Sequence, residues 1–171
     1  FSTEAMGMSA DIAYKGKDYP KALGLYKRMA DRALSQEERL QAETGALRSA
    51  WMANDQTEIV TTASALLAQS KLAPELENEA RYYRAKALLA TGKATEALAD
   101  LTVLAKDTRN VYGAEAKYLV AQIYFDAGET EKAEKEVLAY IEVSTPHAYW
   151  LARSFVLLSD VYVKLDRKLD A

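Results

Sequence analysis

The chain has 171 residues, half of them hydrophobic, and a formal net charge of −3. This near-neutral charge, with no basic stripe, argues against a nucleic-acid partner, because phosphate binding needs clustered Lys and Arg. The absence of cysteine excludes disulfides and thiolate nucleophiles. No apolar run reaches the ~18 residues of a membrane-spanning helix, so no direct membrane insertion is expected. Few prolines and glycines favour long helices joined by short turns.

Two helices are predicted before Ser35. Apolar residues recur at helical spacing over residues 6–14. Asp18 is a residue type that caps helix N-termini, and Pro20 fits the first turn, where a missing N–H does little harm. The apolar stripe of a second helix follows over residues 22–29.

The second helix pair is predicted from its start signals. Ser35 and Glu38 form a capping box, which opens a helix that continues to Trp51. A polar segment at residues 54–57 breaks this helix. Asp55, as an N-cap, starts the next one.

The remaining helices follow the same plan. Pro74 begins a third pair, whose helices are separated by a turn at residues 91–93. The fourth pair turns at residues 127–128. Thr145 and Pro146 are predicted to cap and start the last helix, because a capping residue followed by proline is typical of a helix N-terminus.

Four short stretches after these turns are nearly the same, and each has alanine at the same place. These residues, Ala22, Ala97, Ala133 and Ala171, are separated by 75, 36 and 38 residues. The first gap is about two periods, which predicts a degenerate copy between, with Val60 in the alanine position. A fixed period in the range of roughly 20–50 residues indicates a repeat array, whose stacked units bury a continuous core.

Further positions repeat in step with these residues. A bulky residue stands nine positions before each of the last four, at Trp51, Leu88, Tyr124 and Tyr162. Small residues that permit close helix crossings stand twelve positions before each of the four repeated alanines, at Ala10, Ala85, Ala121 and Ser159.

The pattern resembles the tetratricopeptide repeat (TPR), a family of helix–turn–helix repeats. The small eighth residue, aromatic eleventh residue and alanine twentieth residue of that family fall on Ala121, Tyr124 and Ala133 in the fourth copy, which matches best. The second copy matches least, with Arg48 and Val60 in the two small positions. The resemblance covers the whole chain and implies an all-α fold, a right-handed α-solenoid of antiparallel helix pairs. About four and a half repeats are expected, at residues 3–36, 41–74, 78–111, 114–147 and 152–171.

Two features of the array suggest its origin. The spacings of 36 and 38 residues exceed the ~34 of the family, and such longer repeats resemble those of bacterial envelope proteins, such as outer-membrane assembly lipoproteins and the Tol-Pal accessory protein. A periplasmic or envelope-associated location is therefore favoured over the cytoplasm. The chain begins at Phe1 rather than methionine and stops inside its fifth copy, so we expect it to be a fragment of a longer protein.

No catalytic set is apparent, and we expect neither an enzyme nor a cofactor or metal. The single histidine, His147, follows a proline near a predicted helix start, where an exposed structural role is expected rather than chemistry. Neighbouring acids such as Glu37 and Glu38 lie at predicted helix N-termini, where the helix dipole favours them.

In the resembled family, the first helix of each pair lines a concave groove that holds partners. The corresponding residues here mix aromatic rings with charges of both signs, which suits a protein or peptide partner. Asp11 and Ser49 are among them. The candidate partner-binding residues are Tyr14, Met52, Tyr82, Lys86, Tyr118, Gln122, Phe125, Asp126 and Asp160.

Two alternatives stay open. The aromatic rings of this set could simply cover neighbouring helices, and the chain could be a structural spacer that stacks on flanking repeats of the same protein and holds no ligand of its own. We also expect apolar surface around Phe155, Leu158 and Tyr162, in the last copy, to be exposed and to permit a homodimer.

Overall fold

The computed structural model describes residues 2–167, which form nine α-helices and no strand. This confirms the predicted all-α fold. Ala171, which is predicted to occupy the repeated alanine position of the last copy, lies outside the described residues. The helices are α1 (Thr3–Lys15), α2 (Tyr19–Arg32), α3 (Gln36–Met52), α4 (Gln56–Leu67), α5 (Pro74–Ala90), α6 (Ala94–Leu104), α7 (Val111–Asp126), α8 (Thr130–Ile141) and α9 (Ala148–Lys164).

Several helices begin at the capping residues that the sequence predicts. The side chains of Asp18, Ser35 and Asp55 each accept a hydrogen bond from the backbone N–H three residues later. The capping box at α3 differs in one bond from the usual pattern, in which Glu38 would accept from the N–H of Ser35. Its carboxylate accepts instead from the N–H of Leu34, at 2.9 Å. Pro74 is the first residue of α5.

Each odd-numbered helix ends in the same turn. The second residue after the helix has a left-handed backbone: Lys17, Asn54, Gly92, Gly128 and Asp166 have φ between 56° and 78°. At the end of α1, the N–H groups of Lys17 and Asp18 donate to the carbonyl groups of Tyr14 and Ala13. This is the Schellman pattern that satisfies the last helical carbonyls. The turn residues are 37, 38, 36 and 38 positions apart, so the repeat is a property of the backbone as well as of the sequence.

The same turns correct the register of the second copy. Ala22, Ala97 and Ala133 each stand five residues after the left-handed turn residue and are fully buried. Five residues after Asn54 is Ile59, which is 1 % exposed, whereas Val60 is only half-buried. The prediction that Val60 occupies the alanine position is therefore wrong by one residue.

The helices form two compact units, residues 1–92 and 93–171. The first unit packs α1 to α5 around a core in which small residues such as Ala10 and Ala63 allow close helix approach beside the larger Leu47, Ile59 and Leu66. The core of the second unit is centred on α7, α8 and α9. Its most buried members include Ala133, Val137, Tyr140 and Val161.

The start of α9 differs from the prediction. The helix begins at Ala148, and the side chain of Thr145 instead donates to the carbonyl of Thr108 at 2.8 Å. His147 is the N-cap residue, and its Nε2 lies 2.9 Å from the carbonyl oxygen of Arg109. These contacts tie the start of α9 to the connection between α6 and α7, which explains why local sequence alone misplaced it.

Candidate functional site

An open cleft of about 440 Å³ lies on the first unit, between α1 and α3. Asp11 and Tyr14 of α1 line one side of it. Gln41, Thr44 and Arg48 of α3, one helical turn apart, line the other. Tyr26 of α2 and Leu76 of α5 also contribute. We call this the α1–α3 cleft.

The floor of the α1–α3 cleft depends on Tyr26. Its ring is 6 % exposed, and its hydroxyl donates a hydrogen bond to Oδ1 of Asp11. The ring fits because residue 45 is glycine: a Cβ at Gly45 would come within 2.6 Å of the Tyr26 ring. Burial, followed by the hydrogen bond and charge of Asp11, raises the pKa of the Tyr26 phenol, so this tyrosine is a neutral donor near pH 7.

Arg48 is held in place at the cleft by α5. Its Nε and Nη2 atoms donate to the two carboxylate oxygens of Glu79 at 2.8 and 2.9 Å. Hydrogen bonding to Glu79 is the main cause of the raised pKa of Arg48. The bidentate geometry fixes the guanidinium plane. Arg48 therefore already has an internal carboxylate partner.

Aromatic rings of α3 and α5 form a cluster farther along the first unit. The Trp51 and Tyr83 rings stack with 4.0 Å between centroids and 7° between planes. Tyr82 lies 6.2 Å from each of them, and the Lys86 ammonium is 5.8 Å from the Tyr82 centroid. This cluster combines half-buried aromatic area with a cation.

The second unit carries a chain of hydrogen bonds on α7 and α9. Arg153 donates to the hydroxyl of Tyr118, which donates to Gln122, and the Gln122 amide donates to Asp126; each distance is 2.8 Å. The Arg153 guanidinium also lies 4.9 Å from the Tyr118 ring centroid. Arg153 was not among the predicted residues, and it joins three that were.

The predicted residues thus have different environments. Tyr118 is only 5 % exposed, so its ring contributes to the core and its hydroxyl to the polar chain. Phe125 is half-buried against the core of the second unit. Met52 is 47 % exposed, and both Asp126 and Asp160 are exposed. Tyr14 alone of the nine candidates lines the α1–α3 cleft.

The one-residue register error explains which cleft residues the sequence analysis missed. Ser49 was expected in the groove, but it is fully buried and its hydroxyl donates to the Gly45 carbonyl at 2.7 Å. Moving the register back by one residue places Arg48 at the repeat position of Asp11, and it brings Gln41 and Thr44 to positions that line the groove in the resembled family. The signal was present in the sequence, because Asp18 and Asp55 cap equivalent helices and stand four residues before Ala22 and Ile59.

Two other kinds of site are absent from residues 2–167. This part of the chain has no group of three or more His, Asp or Glu side chains arranged to hold a metal ion. None of its helices combines the length and apolar character needed to cross a membrane.

Comparison with known proteins identifies the fold. No family model matches the chain, and no curated protein matches it by sequence. Among solved structures, it is similar to a single-substitution variant of the nearly identical TPR-like repeats of a protein described as a kinesin light chain, from Podosopora anserina. The TM-score is 0.63 at 16 % sequence identity, over 98 % of this chain and 88 % of that one. At this identity the likeness shows the fold alone: the chain has a TPR-like helical-repeat fold.

Proposed function

We propose that this protein is a non-enzymatic scaffold that binds a protein or peptide partner, with the α1–α3 cleft as its binding site in the first unit. The observation that carries the proposal is the cleft itself. It is open and exposes apolar, aromatic and hydrogen-bonding side chains from the partner-facing positions of two repeats. A mixture of this kind suits an extended peptide, since apolar contacts supply affinity and polar groups fix the register.

The geometry also favours binding without large rearrangement. Bonds to Tyr26 and Glu79, each on another helix, hold Asp11 and Arg48 in place. Side chains that are already ordered lose little conformational entropy when a partner arrives. The period of 36 to 38 residues supports a relationship with the bacterial envelope proteins of this fold, which would place the partner in the envelope.

The experiment that tests this function is capture of partners from a lysate and envelope fraction of the source cells. The original protein, used as bait, is compared with the variant Gln41→Trp, whose larger side chain fills the cleft from an exposed position of α3. Gln36→Trp is the matched control, because Gln36 is exposed on the same helix but does not line the cleft. Circular dichroism checks that all three proteins are folded.

We expect a partner that the original protein and Gln36→Trp retain and that Gln41→Trp loses. Identical captures by all three proteins would contradict a binding role for the cleft. They would favour the alternative, a structural spacer that contacts only flanking repeats. Tyr82→Ala and Phe125→Ala test the other predicted partner-binding surfaces in the same assay. Tyr118→Ala is unsuitable for this purpose because it removes a buried ring.

A further inference from the structure

A second cavity extends the α1–α3 cleft toward the N-terminal ends of its two helices. This cavity has a volume of about 350 Å³ and shares Asp11 and Gln41 with the cleft. Its other lining residues include Glu4, Met8 and Glu38. We call the two together the α1–α3 groove.

The groove is strongly acidic for its size. Its lining contains four carboxylates, from Glu4, Asp11, Glu37 and Glu38, but a single cation, Arg48. Both oxygens of the Glu79 carboxylate already bind this guanidinium. The positive charge of the groove is therefore neutralised internally, and the four carboxylates are left in excess.

Three of these carboxylates have acceptor capacity to spare. In the fourth, Glu38, one oxygen accepts from the hydroxyl of Thr3 and the other from the N–H of Leu34. The carboxylates of Glu4 and Glu37 make no hydrogen bond or ion pair with any other residue between 2 and 167, although both lie in the first turn of a helix, where the dipole favours negative charge. Asp11 receives one hydrogen bond, on Oδ1 from Tyr26, and its Oδ2 accepts none within the same residues. Asp11 lies inside α1, away from the dipole at its N-terminus, so helix capping does not explain it.

The groove also offers apolar surface beside the acids. Met8 is 60 % exposed, and the half-buried Tyr14 and Leu40 line the cleft near Asp11. Lys and Arg side chains need both kinds of surface, because their aliphatic stems pack on apolar groups while the charged ends reach a carboxylate. An aromatic ring adds a favourable contact with the cation.

We propose that the α1–α3 groove recognises a basic segment of a protein partner, with a Lys or Arg side chain that lies against Tyr14 and pairs with Asp11. This inference rests on the proposed function and specifies the chemistry of the partner. The other acids of the groove attract the segment electrostatically, so binding weakens as salt screens the charges.

The test uses three fluorescein-labelled peptides of one length and one apolar pattern, with Lys, Gln or Glu at every polar position. Fluorescence anisotropy measures their binding to the full chain at low and high salt. Asp11→Asn removes the charge but keeps an oxygen that accepts from Tyr26. Asp31→Asn is the matched control, because Asp31 is exposed on α2 and lies outside the groove. Gln41→Arg adds a cation where the two cavities meet.

We expect the Lys peptide to bind most tightly and to lose affinity at high salt. Asp11→Asn should weaken its binding by about two- to fivefold, the scale of one exposed ion pair. Gln41→Arg should weaken it more, and Asp31→Asn should have no effect. The inference is overturned if the Lys peptide shows no preference or no binding, or if Asp11→Asn behaves like Asp31→Asn. If the Glu or Gln peptide binds most tightly and Gln41→Trp abolishes that binding, the inference of a basic partner is overturned, but the proposed binding function of the cleft stands.

Discussion

The Tyr26 hydroxyl donates a hydrogen bond to the Asp11 carboxylate, which joins α2 to α1 beneath the α1–α3 cleft. The same carboxylate faces the groove. One residue therefore has a structural role through Oδ1 and a proposed recognition role through the charge that it presents to a partner. The buried ring also requires glycine at position 45, because a side chain there would overlap it.

This contact predicts how stability depends on alkaline pH. Burial and the neighbouring Asp11 raise the pKa of Tyr26 above its ordinary value of 10.0. The phenol therefore ionises first in the unfolded chain, and its contribution to stability is complete below pH 10.0 and declines as the pH rises further. In urea unfolding at a series of pH values, Tyr26→Phe should show a shallower decline in the free energy of unfolding than the original protein.

Two variants complete this experiment. Asp11→Asn should also make the decline shallower, because it removes the charge that opposes the phenolate. Asp31→Asn, an equal charge change at an exposed position of α2, should leave it unchanged. Parallel curves for Tyr26→Phe and the original protein would show that this phenol ionises alike in the folded and unfolded chains.

The corrected register of the second repeat predicts unequal costs at two adjacent residues. Ile59 is 1 % exposed, so Ile59→Ala should lower the free energy of unfolding by about 2–5 kcal/mol through lost burial and the cavity left behind. Val60 is half-buried, and Val60→Ala should cost about 1 kcal/mol or less. Urea unfolding of the two variants measures the difference. Equal costs, or a larger cost at Val60, would restore the original register.

The helix caps and the partner-facing residues show what the sequence could and could not predict. Helix caps such as Asp18 and Asp55 depend on near neighbours, so the sequence located those helix starts correctly. Thr145 also looks like a cap, but its hydroxyl bonds to Thr108, a residue 37 positions away, and local pattern contains no sign of such a contact. Likewise, the resemblance to the repeat family predicted Tyr118 on the partner-facing side, but it could not show that Arg153 and Trp150 would lie against its ring.

A second glycine reveals a close approach of backbones that the sequence analysis missed. A Cβ at Gly113, near the start of α7, would lie 2.0 Å from the carbonyl oxygen of Asp107 and 2.6 Å from that of Leu104. Because backbone atoms cannot rotate aside as a side chain can, Gly113→Ala should cost at least about 2 kcal/mol of stability. Thermal unfolding followed by circular dichroism should show a clear fall in Tm.

Gly24 provides the matched control for this prediction. It lies within α2, and a Cβ there would have no atom within 4 Å. Gly24→Ala should raise stability by about 0.5–1 kcal/mol, because alanine favours the helix and glycine does not. A Gly113→Ala protein as stable as the original would mean that α7 can move away from the preceding connection at little cost.

The apolar strip on α9 predicts self-association of the chain. Phe155 is 50 % exposed, as expected, but Leu158 and Tyr162 pack against the core of the second unit. The exposed strip consists instead of Phe155, Val156 and Val163, of which the two valines are 65 % and 53 % exposed. Exposed neighbouring apolar side chains favour association, so sedimentation velocity should show a dimer that becomes more abundant as concentration rises.

Replacing part of the strip distinguishes this surface from general apolar exposure. The double variant Phe155→Gln/Val156→Gln should reduce the dimer fraction, since it removes the exposed ring of the strip and its neighbour. The control Leu138→Gln/Val143→Gln changes two other exposed apolar residues of the same unit, which are 39 % and 42 % exposed, and should leave the dimer unchanged. If both double variants reduce association equally, the contact is not specific to α9. A strict monomer at high concentration would show that the strip is too small to hold two copies together.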